Sequence, residues 1–194
     1  MALMELQAAL LGVLVYWTGP LWGAPATRRQ RLFAALAAGV LGALAAILMR
    51  PQDRWWFMPI IGLLVIVAVV DRLHQIIPNR LVLLVAVWAL AARFYYGHWI
   101  SATLVAAGIF LFYLAVNLLT RGGLGMGDVK FAAVLALALG YPAALISVVF
   151  GMWAAGFYAL YLVVMRRQGS RQLMALGPFL VMGGFVGLFL MIKG

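Results

Sequence analysis

Apolar runs of about 20 residues, the length a helix needs to cross a bilayer, follow one another along the chain with only short polar connections between them. They fall near residues 3–22, 32–49, 55–71, 80–96, 99–120, 129–140, 143–165 and 174–192. The pattern predicts an all-α, polytopic integral membrane protein with about eight transmembrane helices, forming a single membrane-embedded domain over residues 1–194. The first run lacks a basic flank and carries Glu5, so it reads as a retained helix and not as a cleaved signal peptide. The sixth run is short. Twelve helical residues rise about 18 Å against a hydrocarbon core of about 30 Å, so the preceding loop is expected to dip into the membrane. Irregular backbone at that depth is tolerated only where it is buried in protein or lines a water-filled cavity.

Charge gives these spans an orientation. The chain has 14 Lys and Arg against four acids, a net charge of +10. With the N-terminus outside, Arg28, Arg29, Arg31, Arg72, Arg80, Arg121, Lys130, Arg166, Arg167 and Arg171 all fall on the inner side. Arg50, Arg54, Arg93 and Lys193 are left outside with Glu5 and Asp53. The positive-inside rule therefore favours both termini outside, and dropping the sixth span would turn the loop of Arg166, Arg167 and Arg171 outward. The basic loops read as topology signals and as anchors for anionic inner-leaflet lipids, not as a nucleic-acid surface. Trp55, Trp56, Tyr95, Tyr96 and Trp99 lie at outer boundaries, where an aromatic belt accounts for them.

Composition narrows the chemistry. A hydrophobic content of 68% and a mean hydropathy of +1.12 exclude a water-soluble globule. The absence of cysteine excludes disulfides, thiolate nucleophiles and Cys-based metal sites. With His74 and His98 as the only histidines, no metal and no cofactor are expected. No internal repeat is evident, which weakens a transporter built from inverted halves. Gly183 and Gly187, four residues apart in the last run, predict close helix packing.

Two acids stand apart. Asp71 lies at the end of the third span, ahead of Ile77-Pro78-Asn79-Arg80, and Asp128 follows Arg121-Gly122-Gly123-Leu124-Gly125-Met126-Gly127. The topology places both at inner helix ends, separated by two intervening spans on one face of the bilayer. Asp128 also suits an N-cap, where its carboxylate would accept backbone N–H bonds. Asp71 is harder to explain structurally, because an acid at a helix C-terminus opposes the dipole; a salt bridge to Arg72 is the plain alternative. Two carboxylates that meet cannot both ionise cheaply and share a proton, as in aspartic proteases. One then activates water while the other polarises the scissile carbonyl. Gly125 and Gly127 allow backbone angles closed to other residues and close approach of a second backbone, and an unwound substrate segment could pair with that backbone.

Gly125-Met126-Gly127-Asp128, followed by Val129-Lys130, resembles the Gly-x-Gly-Asp signature of intramembrane aspartic proteases. Asp71 followed by Ile77-Pro78-Asn79 is similar to the first-aspartate motif of type IV prepilin peptidases, and Gly177-Pro178-Phe179 resembles that family's Gly-Pro-Phe segment. The resemblance covers residues 55–194 as a catalytic core and leaves 1–49 as two extra N-terminal helices. It implies an aspartic endopeptidase of the bacterial inner membrane, with its active site facing the cytoplasm and Asp71 and Asp128 as the catalytic pair. Its substrates would be prepilins or pseudopilins, cut between a short basic leader and the hydrophobic helix. Larger family members carry a cysteine-bound zinc domain between the first two helices and methylate the new N-terminus. Here that loop is residues 23–31 and cysteine is absent, so no zinc is expected and methyl transfer loses its support. The short form resembles the peptidases that accompany tight-adherence (Flp) pili.

Lys130, two positions from Asp128, would point away from it on a helix and reads as a residue reaching the headgroups or tuning the acid pair. His74 would reach Asp71 if the helix continues. Pro78 ends or opens an element with Asn79 satisfying nearby backbone groups, and Gly177 and Pro178 shape a cavity mouth or simply start a helix. Two other functions compete. A presenilin-like or signal-peptide-peptidase-like protease shares Gly-x-Gly-Asp but usually has tyrosine before its first aspartate, where this chain has Val70. A proton-coupled transporter or channel would place its acids well inside the spans.

Overall fold

The computed structural model describes residues 12, 13, 15, 27–166 and 176–193. Residues 12, 13 and 15 are helical, and seven helices have described bounds. These are α1 (Arg28–Leu48), α2 (Pro51–His74), α3 (Asn79–Tyr96), α4 (Trp99–Leu119), α5 (Met126–Leu139), α6 (Ala143–Arg166) and α7 (Gly177–Lys193). Among the described residues there is no strand, in line with the all-α reading.

Among the described residues, four stretches are long and apolar enough to cross a membrane: Asp53–His74, Asn79–Tyr96, Trp99–Leu119 and Ala143–Leu162. They coincide with the predicted runs at 55–71, 80–96, 99–120 and 143–165, and they make the chain a membrane protein. The count of about eight transmembrane helices is not reached. The first predicted run lies almost wholly outside the described residues, as do Arg167 and Arg171 of the last inner loop. Helix α5, at 14 residues, rises about 21 Å and falls short of the roughly 30 Å hydrocarbon core, and the apolar part of α7 is also short.

Helix boundaries follow from local chemistry. Pro51 opens α2 at a position where its missing N–H costs nothing. That helix runs past Asp71 and stops when Gln75 turns left-handed (φ 54°), donating its N–H to the Asp71 carbonyl at 2.8 Å. Gly97 (φ 76°) ends α3 in the same conformation.

The short α5 forms the centre of the bundle, packed against α3, α4, α6 and α7. Val129, Phe131, Ala132, Leu135 and Ala136 are buried along it, so the body of a helix too short to span is packed in protein while Met126 and Lys130 at its start are exposed. Its C-terminal carbonyls are met by Arg93 of α3. The guanidinium Nε donates to Leu137 O at 3.1 Å and a terminal nitrogen donates to Ala138 O. The sequence pattern assigns Arg93 to the outer aqueous charges. In the fold it is only 5% exposed, because the last carbonyls of a short helix have no intrahelical donors and a cation is favoured at the negative end of the dipole.

Helices α6 and α7 pack most extensively of all. A Cβ at Gly187 would stand 2.9 Å from the Ala143 carbonyl, and one at Gly183 would overlap the Ser147 carbonyl. The predicted glycine seam is thus a backbone-to-backbone crossing.

Candidate active site

Asp71 lies in the last turn of α2 and is buried, 3% exposed, in a stretch otherwise made of Val65, Ile66, Val67 and Val70. Its carboxylate Oδ2 accepts the N–H of Gly177 at 2.8 Å. The two residues are 106 positions apart, so the start of α7 closes directly over the end of α2. A Cβ at position 177 would stand 2.6 Å from the same oxygen, which leaves glycine as the residue that fits. Arg72, the salt-bridge alternative for Asp71, is exposed.

Asp128 is the third residue of α5. The N-cap is Gly125, so Asp128 is not itself the N-cap; its carboxylate does accept a hydrogen bond from the Gly125 backbone N–H, as an acid in the first turn can. A Cβ at Gly125 would meet Asp128 Oδ2 at 2.9 Å. Both acids therefore abut a glycine supplied by another part of the chain or by the preceding turn. The other oxygen, Oδ1, is buried and has no hydrogen-bond partner among the described residues. Asp71 and Asp128 stand at helix ends whose adjoining segments meet through Gly127 and Ile77.

The loops that carry the two acids are fastened together. A Cβ at Gly127 would touch Ile77 at 3.3 Å, so the absence of a side chain there lets the two segments meet. Lys130 donates from Nζ to Asn79 Oδ1 at 3.3 Å, a tie between the two motifs. Asn79 thus accepts from a side chain, where the sequence suggested a partner on the backbone. Pro78 is the N-cap of α3, extended at φ −63° and ψ 133°, and it opens that element. His74 does continue the helix, but its Nε2 is buried without a partner among the described residues, so the expected bond to Asp71 is not formed. Pro178 lines a cavity of about 440 Å³ with Arg29, Phe33, Val69, Arg72 and Leu73, beside the helix end that bears Asp71.

Two residues of α4 escaped sequence reasoning. Ala102, Ile109, Tyr113 and Asn117 are the buried positions of this helix, and the last three are spaced four apart on one face. Asn117 donates through Nδ2 to the Leu124 carbonyl, while its own carbonyl accepts Gly122 N–H at 2.8 Å. It therefore shapes the glycine loop ahead of Asp128, in which Arg121 and Gly122 are left-handed (φ 52° and 84°). Tyr113, 3% exposed, interacts electrostatically with Asp128. A polar amide in an apolar span, preceded by a tyrosine one turn earlier, was the available signal.

The arrangement defines a class: a helical membrane protein with a carboxylate at each of two helix ends whose flanking loops are fastened together. The chain belongs to the type IV leader peptidase family, whose model matches residues 58–160 and so takes in both acids. It is 32% identical over 128 residues to the prepilin leader peptidase/N-methyltransferase of Bacillus subtilis (strain 168), an alignment covering 65% of this chain and 52% of that protein. The chain thus spans about half the length of the curated relative it matches. No solved structure matches it. Gly177 lies beyond the matched segment, yet it is the residue that binds Asp71.

Proposed function

We propose that this protein is a membrane-embedded aspartic endopeptidase that removes the short basic leader of prepilins or pseudopilins, with Asp71 and Asp128 as its catalytic pair. The carrying observation is the fastening of the two motif loops: each acid abuts a glycine, a Cβ at Gly127 would touch Ile77, and Lys130 donates to Asn79. Family membership supports the reaction class, and the B. subtilis relative supports the substrate class.

In this mechanism the pair holds a single proton, since two like charges this close cannot both ionise cheaply. The ionised carboxylate takes a proton from water as its oxygen attacks the scissile carbonyl. The protonated partner polarises the carbonyl and then delivers a proton to the leaving nitrogen as the C–N bond breaks. Desolvation by the surrounding helices strengthens each of these interactions. We place the protein in the bacterial inner membrane, N-terminus outside, with the pair opening toward the cytoplasm. That orientation rests on the basic inner loops. Residues 1–49 are proposed as an addition to a catalytic core over 55–194.

Cleavage of a prepilin in detergent or liposomes tests the reading, with Asp71→Asn and Asp128→Asn made separately. Each is expected to lower the rate by at least about 10²-fold while the protein remains extractable and folded. Wild-type activity in either variant removes that residue from the site.

A further inference from the structure

Two buried polar atoms on the packed helices α4 and α5 have no partner among the described residues: the hydroxyl of Tyr113 and Oδ1 of Asp128. Leaving such atoms unpaired is costly, about 1–3 kcal/mol each, and unexplained pairs of this kind mark places where something else is bound. Asn117 is bonded to Leu124, four residues ahead of Asp128, and Tyr113 lies one turn back on the same face of the packed helix, so the register sets the phenol toward the carboxylate; no direct hydrogen bond joins them. Tyr113 is also held in place from its own helix. Asn117, one turn further along the same buried face, fixes the glycine loop at Leu124 and Gly122, so α4 presents its phenol to the first turn of α5 at a set register. Helices α4 and α5 are among the most extensively packed pairs in the fold.

We propose that Tyr113 is a third catalytic residue of the site, its hydroxyl hydrogen-bonding the oxygen of the scissile carbonyl beside Asp128. This rests on the peptidase reading above. As the water oxygen bonds to the carbonyl carbon, the π pair moves onto the carbonyl oxygen and negative charge gathers there. The Tyr113 O–H donates a hydrogen bond to that oxygen and keeps its proton throughout. The water's proton goes to the ionised carboxylate of the pair, and the proton needed by the departing nitrogen comes from the pair. When the tetrahedral intermediate collapses, the carbonyl re-forms and the C–N bond breaks. A fixed donor aimed at developing charge in a water-poor site acts mainly on the transition state, so its loss belongs in kcat and not in KM.

The test is Tyr113→Phe, assayed for prepilin cleavage and for thermal unfolding in detergent, with Asp71→Asn and Asp128→Asn alongside. Phenylalanine keeps the ring and deletes only an unpartnered hydroxyl. The expected result is an unfolding temperature equal to or above wild type, kcat lowered about 10²-fold, and KM unchanged within a few-fold. Unchanged kcat overturns the proposal, and so does a lowered unfolding temperature or failure to fold, since either would mean that the hydroxyl serves structure. The aspartate variants separate the two readings. If they are inactive and Tyr113→Phe cleaves normally, Tyr113 alone is dismissed; if they cleave normally, the aspartic mechanism itself is lost.

Discussion

The glycines at 125 and 177 are where a single added carbon atom would meet the two acids. Each lies against a carboxylate oxygen, with would-be Cβ distances of 2.9 Å and 2.6 Å, and at 177 the backbone N–H is also the donor to Asp71. Alanine at either position must push the acid aside, and displacements of about 1 Å in a catalytic group cost about 10²-fold in rate. Gly125→Ala and Gly177→Ala are therefore expected to lose cleavage by that order in the prepilin assay while binding substrate with nearly unchanged KM. Gly123, by contrast, faces only Thr120 of its own turn. Gly123→Ala is expected to stay within a few-fold of wild type, which separates crowding of the acids from a general stiffening of the loop.

Among the helices, α5 has the most demanding position. It is short, central and packed on four neighbours, so it carries Asp128 at one end and leaves at the other a row of carbonyls without intrahelical donors. Arg93 meets that need with donors to Leu137 and Ala138. Arg93→Leu keeps much of the apolar stem but removes the donors, and the expected cost is about 1–3 kcal/mol for each carbonyl left unpaired, read as a lower unfolding temperature in detergent. Arg93→Lys is expected to recover part of it, because an ammonium restores a cation and one donor without the guanidinium fork. Charge counting along the sequence treats Arg93 like any outer arginine. Only the termination of a buried helix beside it gives it a structural task.

At the scale of the whole molecule, the two ends of the helix bundle differ in chemistry. The acids, the glycine loop and the Lys130 tie gather at one end. At the other, Tyr96 donates to Asp53 at 2.6 Å and Trp88 to the Trp56 carbonyl at 2.7 Å, so part of the predicted aromatic belt is also packed and hydrogen-bonded. The orientation is open to direct measurement because the chain has no native cysteine. Arg121→Cys and His98→Cys place single thiols at exposed positions on opposite ends of α4. In right-side-out cells or vesicles, a membrane-impermeant maleimide is expected to label position 98 from outside and to reach position 121 only after permeabilisation. The reverse pattern would invert the topology and put the acid pair on the wrong side for a cytoplasmic leader.

The order of apolar runs by itself determined the helical class and four of the spans, because a bilayer demands a length and a polarity that need no partner to be recognised. Residue type and motif resemblance likewise singled out Asp71, Pro78, Asn79 and the Gly125-to-Lys130 segment as candidates. What each group touches was decided by tertiary structure alone. Gly177 reaches Asp71 across 106 residues, Lys130 turns from headgroups to Asn79, Arg93 is drawn inside, and Tyr113 acquires Asp128 as its neighbour. Contacts of this kind arise from helix faces meeting at a particular register, and a one-dimensional pattern of apolar residues records that a face will be buried without recording what will lie against it.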